Sequence, residues 1–242
     1  MKRLLIVILA IVALGVPLAA SGKVVQLGEA EPALPSSSCP EDPCLALYQA
    51  TGYQESAENS KERPYVVRRD GKVLAFTVKL GKLTAEQIRF FDNRFGMPAS
   101  ARLSIVNRGK KRGRRNEHRV LARSEVFSLR KYLGSSATFV LEEPLAVERG
   151  NVVAITVPTW APILAGEQDK ATEWRSSRRK GRCGTTNRLA PPAPQGLGTT
   201  AKWGCNYSEA RLLYTATYVP NNPPTGEDND ENGRDGEGER RR

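Results

Sequence analysis

Six cations crowd into the eight residues from 108 to 115: Arg108, Lys110, Lys111, Arg112, Arg114 and Arg115. Charges at this density cannot be buried together, so the segment must project into water or onto a polyanion. The chemistry open to it is recognition of phosphate, sulfate or carboxylate. A guanidinium fork grips two oxygens at once, and an ammonium adds a point charge. Arg119 and Arg123 follow in the chain. A second cluster, Arg175, Arg178, Arg179, Lys180 and Arg182, immediately precedes Cys183. If the fold brings both clusters to one edge, they form an anion-binding rim. The plain alternative is a pair of solvated loops that keep the chain soluble.

Other residues with chemical potential offer less. Trp160, Trp174 and Trp203 present flat indole faces that could stack on sugar rings, but Trp203 lies beside Cys205 and reads as core packing. The single histidine, His118, sits in the basic region with no Ser or Cys partner that spacing implies. Glu142 and Glu143 are adjacent, so on a strand they face opposite ways and cannot pair as acid and base. Neither G-x-S-x-G, H-E-x-x-H, a phosphate loop nor a dinucleotide fingerprint occurs. Catalysis therefore ranks below binding, and no cofactor is expected. Near the C-terminus, Asp228, Asp230, Asn232, Gly233 and Glu239 match positions one, three, five, six and twelve of a calcium loop. Prolines before Asp228 exclude a flanking helix, and a tract of Asp, Asn, Glu and Gly matches such a pattern by chance. The segment reads as a solvating acidic tail rather than a metal site.

The elements that must position these residues are mostly strands. Residues 72–81, KVLAFTVKLG, alternate with period two and have one apolar face. Further strands are predicted at 101–107, 118–123, 137–142, 151–159 and 210–219, with 21 glycines and 16 prolines to turn between them. The basic run falls where apolar alternation stops and restarts, so it is a hairpin or inter-strand loop. One helix is expected near residues 84–95. Thr84 and Gln87 form a capping box ahead of Ile88, Phe90, Phe91 and Phe95, and Gly96 and Pro98 end it. The fold class is mainly β: an antiparallel, jelly-roll-like β-sandwich with one short helix.

The N-terminus has the layout of a secretory signal. Lys2 and Arg3 precede an apolar run over 4–16, then Pro17 and small residues to Ala20. Cleavage is the favoured reading, and an uncleaved anchor the alternative, since 4–20 is barely long enough to span a bilayer. Domains follow: signal peptide 1–20, linker 21–38, β-sandwich 39–220, and a disordered polar and acidic tail 221–242, which has no large apolar residue beyond Pro220. The chain carries a net charge of +11. Discounting Lys2 and Arg3, and a tail from 226 with seven acids and four arginines, leaves a body of about +12. Such a body prefers anionic partners. Export sets nucleic acid aside in favour of envelope polymers, glycans and lipid headgroups.

Cys39, Cys44, Cys183 and Cys205 are an even set in an exported chain and allow three pairings. The favoured one joins Cys39 to Cys44 across the pre-bent CPEDPC loop and Cys183 to Cys205. A zinc site is disfavoured, because neither pair has C-x2-C spacing.

Four segments carry a resemblance: CPEDPC followed by TGYQ, then GKVLAFTVKLGKLTAEQIRFFDNRFG, then NVVAITVPTWAP, and RLLYTATYVP. Through them the stretch from 39 to 219 resembles a group of uncharacterised exported bacterial proteins. The resemblance implies a disulfide-containing β-sandwich and no established activity, and it carries over no functional residues. The expected function is non-catalytic binding, through basic loops, of an anionic polymer or glycan of the envelope. A structural or assembly protein that binds another protein is the alternative, and an envelope hydrolase the third reading.

Overall fold

The structure is a computed structural model and describes residues 24–28, 33–57, 63–184 and 188–221. The signal segment, part of the linker, the acidic tail and the calcium-loop match Asp228, Asp230, Asn232 and Glu239 lie outside the described residues. In chain order the elements are β1 (Val25–Leu27), β2 (Leu47–Ser56), β3 (Gly71–Lys79), α1 (Ala85–Phe95), β4 (Ser100–Arg108), β5 (Glu117–Arg123), β6 (Phe127–Ser128) and β7 (Ser136–Val147). They continue with β8 (Val152–Ala161), β9 (Leu164–Ala165), β10 (Glu173–Ser176), β11 (Thr200–Lys202), β12 (Cys205–Ser208), β13 (Arg211–Leu212) and β14 (Tyr214–Pro220). All named strand pairings are antiparallel. The mainly β class with one helix is the one expected, and both disulfides, Cys39–Cys44 and Cys183–Cys205, form.

A four-stranded sheet, ordered β1-β14-β3-β7, lies against an eight-stranded one ordered β11-β5-β4-β8-β2-β10-β12, with β6 on β4. The core fills the space between them with Phe76 and Val78 from the small sheet and Leu103, Ile105 and Ile155 from the large one. Tyr214 ties the two together by donating its hydroxyl to the Val153 carbonyl at 2.9 Å. The turn at Arg149-Gly150 joins strands of different sheets, β7 and β8, rather than making a hairpin. A bulge between Val73 and Ala75 shifts the alternation of β3, which is how both Val73 and Phe76 come to be buried.

The helix begins at the expected capping box. The Thr84 hydroxyl accepts from the Gln87 amide at 3.2 Å, and the Gln87 side chain accepts from the Thr84 amide at 3.0 Å. Phe91 and Phe95 face inward, whereas Phe90 is 53% exposed. Neighbouring helical residues diverge by about 100°, so Phe90 and Phe91 cannot share one face. Phe91 stacks on Trp160 at 5.0 Å.

The large sheet curls until its ends nearly meet. β11 and β12 are its two edge strands, yet only Trp203 and Gly204 separate them in sequence. Three residue steps span at most about 11 Å, so the chain itself closes the curl. The crossing is hydrogen-bonded on both sides. The Trp203 amide donates to the Asn116 carbonyl, beside β5, and the Gly204 amide donates to the Arg178 carbonyl, beyond β10, each at 2.8 Å. Only glycine fits at 204, because a Cβ there would run into the main chain at Lys180.

Candidate anion-binding site

The concave face of the curled sheet is polar. Thr51, Tyr53 and Glu55 alternate along β2 and so share a face, as Ser104 and Arg108 do on β4. Deep in the curl, the Thr156 hydroxyl bridges Thr51 at 2.8 Å and Ser104 at 2.7 Å. Nearer the mouth, strands distant in sequence bring an ionic cluster together. Glu55 accepts from Arg108 on one oxygen at 2.5 Å and from Arg175 on the other at 2.8 Å. Arg175 also donates to the Asn116 side-chain oxygen at 2.7 Å, and Arg108 to the Arg115 carbonyl at 2.8 Å. Burial works against a charged Glu55, but the Arg175 and Arg108 charges outweigh it and hold its carboxyl below the usual range.

His118 is fully buried beside this cluster, stacked on Trp203 at 4.3 Å. Its Nδ1 lies 3.0 Å from the Asn116 carbonyl, which can only accept, so Nδ1 carries a proton. In the neutral ring Nε2 is then an acceptor, 3.0 Å from the Tyr53 hydroxyl. That hydroxyl also lies 3.1 Å from Glu55. One phenolic proton thus serves two acceptors. Burial, with Arg175 and Arg108, outweighs the Asn116 and Glu55 interactions and brings the His118 pKa down to about 4. Burial, then the Glu55 charge, raises that of Tyr53. Both Glu55 oxygens are occupied by guanidinium groups and His118 has no exposed surface, so the cluster braces the mouth of the curl rather than presenting a free base.

Beside this cluster lies a cavity of about 400 Å³, lined by Tyr53 and Arg108 of the cluster, by Val66, Gly150 and Val152, and by Arg63, Lys110 and Arg115. Among the described residues no acid lines it. Arg63, Lys110 and Arg115 are exposed, and among the described residues no carboxylate pairs with them. A second cavity of about 430 Å³ adjoins it, sharing Arg108, Gly109 and Lys110 and adding Arg114 and Arg119. Glu117 lies in this one and meets Arg114 at 3.5 Å. The basic run is the β4–β5 hairpin, closed by the Gly109 amide on the Glu117 carbonyl at 2.9 Å. Gly113 turns its tip at a φ of 88°, a left-handed conformation natural to glycine. Lys110, Lys111, Arg112, Arg114 and Arg115 are exposed, whereas Arg108 is drawn inward by Glu55.

The second cluster divides. Arg178 is 3% exposed, its guanidinium 4.6 Å over the Tyr48 ring and donating to the Tyr48 carbonyl at 2.6 Å. Arg175 belongs to the Glu55 cluster. Arg179, Lys180 and Arg182 remain exposed in a turn pinned by Cys183–Cys205. Arg179 and Arg182 flank a third cavity, of about 550 Å³, opposite Pro191, Pro192 and Pro194. The two clusters are anchored to consecutive residues of the crossing, the hairpin through Asn116 to Trp203 and the turn through Arg178 to Gly204. Trp160, Trp174 and Trp203 are 0%, 3% and 0% exposed, so none offers a face to a sugar. Tyr53, Glu55 and Arg63 were not singled out by sequence reasoning. The available signal was Glu55, an acid on a strand whose alternate residues are polar. Among the described residues no group of His, Cys, Asp and Glu could hold a metal ion, and no helix is long and apolar enough to cross a membrane. Searches of protein-family models, curated proteins and solved structures found no match for this chain.

Proposed function

We propose that this is an exported, non-catalytic protein that binds an anionic polymer or glycan of the cell envelope through its β4–β5 hairpin. The observation that carries the reading is the cavity at the hairpin base, where Arg63, Lys110 and Arg115 stand beside Arg108 with no acid in the lining and no carboxylate partner among the described residues. Cations held together at this density raise one another's cost, and a bound anion relieves it. The adjoining cavity shares Lys110, so two neighbouring positions suit successive charges on a linear chain. Two disulfides fit an oxidising compartment outside the cytoplasm.

The experiment compares two variants of the full chain against inorganic polyphosphate and a polyuronate as defined probes. One changes Lys110, Lys111, Arg112, Arg114 and Arg115 to Ser. The other changes Arg179, Lys180 and Arg182 to Ser. The hairpin variant is expected to lose at least about tenfold in affinity at low salt, since each lost contact also removes counterion release. The second variant is expected to lose less. Wild-type affinity in the hairpin variant would move the site elsewhere.

A further inference from the structure

From Trp174 to Ser208 the chain has seven cations and neither Asp nor Glu. The acids that bound this stretch are Glu173 and Glu209. Glu173 is in register with Ser208, at the end of the β10–β12 pair away from Ser176 and Cys205. The described residues lining the third cavity, of about 550 Å³, all fall within the stretch. They include Arg178, Arg179 and Arg182, and Pro191, Pro192 and Pro194. The volume is that of a small-ligand site. Its two segments are braced against each other and against β2. The Ser177 hydroxyl donates to the Ala193 carbonyl. The Ser177 amide donates to the Thr51 carbonyl at 2.8 Å, and the Gln195 amide to the Thr51 hydroxyl at 3.2 Å. The Tyr48 hydroxyl accepts from the Ala190 amide at 2.9 Å, and the same ring lies against the Arg178 guanidinium. A cavity held in this way needs little reordering to bind.

Arg178 supplies a second, independent observation. It is 3% exposed, yet among the described residues no carboxylate pairs with it. Nη1 donates to the Tyr207 hydroxyl at 3.3 Å and Nη2 to the Tyr48 carbonyl at 2.6 Å, while the buried Nε has no acceptor. A buried guanidinium without a counter-charge is costly, and an anion in the cavity supplies one. Arg179 and Arg182, both exposed, add to the demand. The prolines have no N–H to donate, so their side of the lining suits an apolar body. We infer that this cavity binds a small organic anion, its carboxylate or phosphate group set among Arg178, Arg179 and Arg182 and its apolar ring or chain against Pro191, Pro192 and Pro194. The inference does not depend on the polymer reading, which concerns the β4–β5 hairpin.

The test is an NMR titration of the isotope-labelled full chain with four probes: benzoate, phenyl phosphate, inorganic phosphate and benzyl alcohol. The amides of Ala193, Gln195, Gly196 and Ala201 report on the cavity. Benzoate or phenyl phosphate is expected to saturate their shifts with a dissociation constant of the order of a millimolar or below, the scale for a ligand of about ten heavy atoms. The tighter of the two identifies the anionic group as carboxylate or phosphate. Inorganic phosphate lacks the apolar body and benzyl alcohol lacks the charge, so each should bind at least about fivefold more weakly. Equal binding of either, or no saturable shift at these amides, would overturn the proposal. Changing Arg179 and Arg182 together to Ser should weaken the preferred aryl anion at least about fivefold, and unchanged affinity would overturn the role of these cations. Arg178→Gln should weaken it further. If that variant does not fold, the Arg179/Arg182 pair decides alone. The five-residue hairpin variant should bind the aryl anion as the wild type does, even where it has lost polyphosphate. Loss of both ligands in that variant would place the aryl anion at the hairpin and overturn the second site.

Discussion

Changing Glu55 to Gln is expected to destabilise the fold by about 3 kcal/mol, the low end of the range for breaking a buried ion pair by removing one partner. Among the described residues the carboxylate is the sole acid paired with Arg108 and Arg175, and it takes a guanidinium on each oxygen, at 2.5 and 2.8 Å. Their side chains are 21% and 11% exposed, so water cannot restore what the carboxylate supplied. An amide in its place accepts weakly and points an N–H group at one guanidinium. The same change releases Arg108, which links β4 to β2 at the cavity base, so polymer affinity should fall with stability. Urea unfolding of the variant checks the first effect. Adding Arg175→Met, which removes one stranded charge, should recover part of the loss. A loss below about 1 kcal/mol would mean that the pair behaves like an exposed one.

Acid should weaken the protein from about pH 6.5 downward, through its buried histidine. His118 has an ordinary pKa of 6.5 and one of about 4 in the fold, so between these values the unfolded chain takes up a proton that the folded chain refuses. Stability from this group is complete above pH 6.5 and declines as pH falls towards 4, by about 3 kcal/mol in total. Glu55, held below the carboxylate range, adds a loss of the same sign below 4.5. Urea midpoints at pH 7, 5.5 and 4 should fall in order, with the step between 7 and 5.5 absent from a His118→Gln variant. That variant's lower absolute stability does not affect the reading, because the slope is what is compared. A wild-type midpoint unchanged from pH 7 to 4 would contradict it.

Local signals in the sequence were sufficient for much of the fold. The Thr84–Gln87 capping box is a contact within one turn, and the alternation of residues 72–81 needs only one buried face. The pairings Cys39–Cys44 and Cys183–Cys205 were the favoured ones of three that the sequence allowed, and the fold forms them. β2 was missed because LYQATGYQES mixes small and polar residues on both faces. It is a central strand, and its polar side looks into the curl instead of into an apolar core. The same curl hid the site. Tyr53, Glu55, Arg108, His118 and Arg175 come from four strands and span more than half of residues 39–220. Nothing in their spacing announces a cluster made only when Trp203 and Gly204 join the edges of the sheet. The hairpin was legible because an exposed charge run needs no tertiary context. Arg178 was not: its burial depends on the Tyr48 and Tyr207 partners that the fold supplies.

The central claim is that unpaired cations at the hairpin base bind anionic groups. The most direct measurement is a salt titration of polyphosphate binding, for the wild-type chain and for one with Arg63, Lys110 and Arg115 changed to Ser. These side chains have no ion-pair partner among the described residues, so the fold should be retained, as unfolding would verify. The account predicts that the variant binds at least about tenfold more weakly near 50 mM salt, and that its log–log salt slope is shallower by about two to three. Equal affinity and equal slope for the two proteins would contradict it.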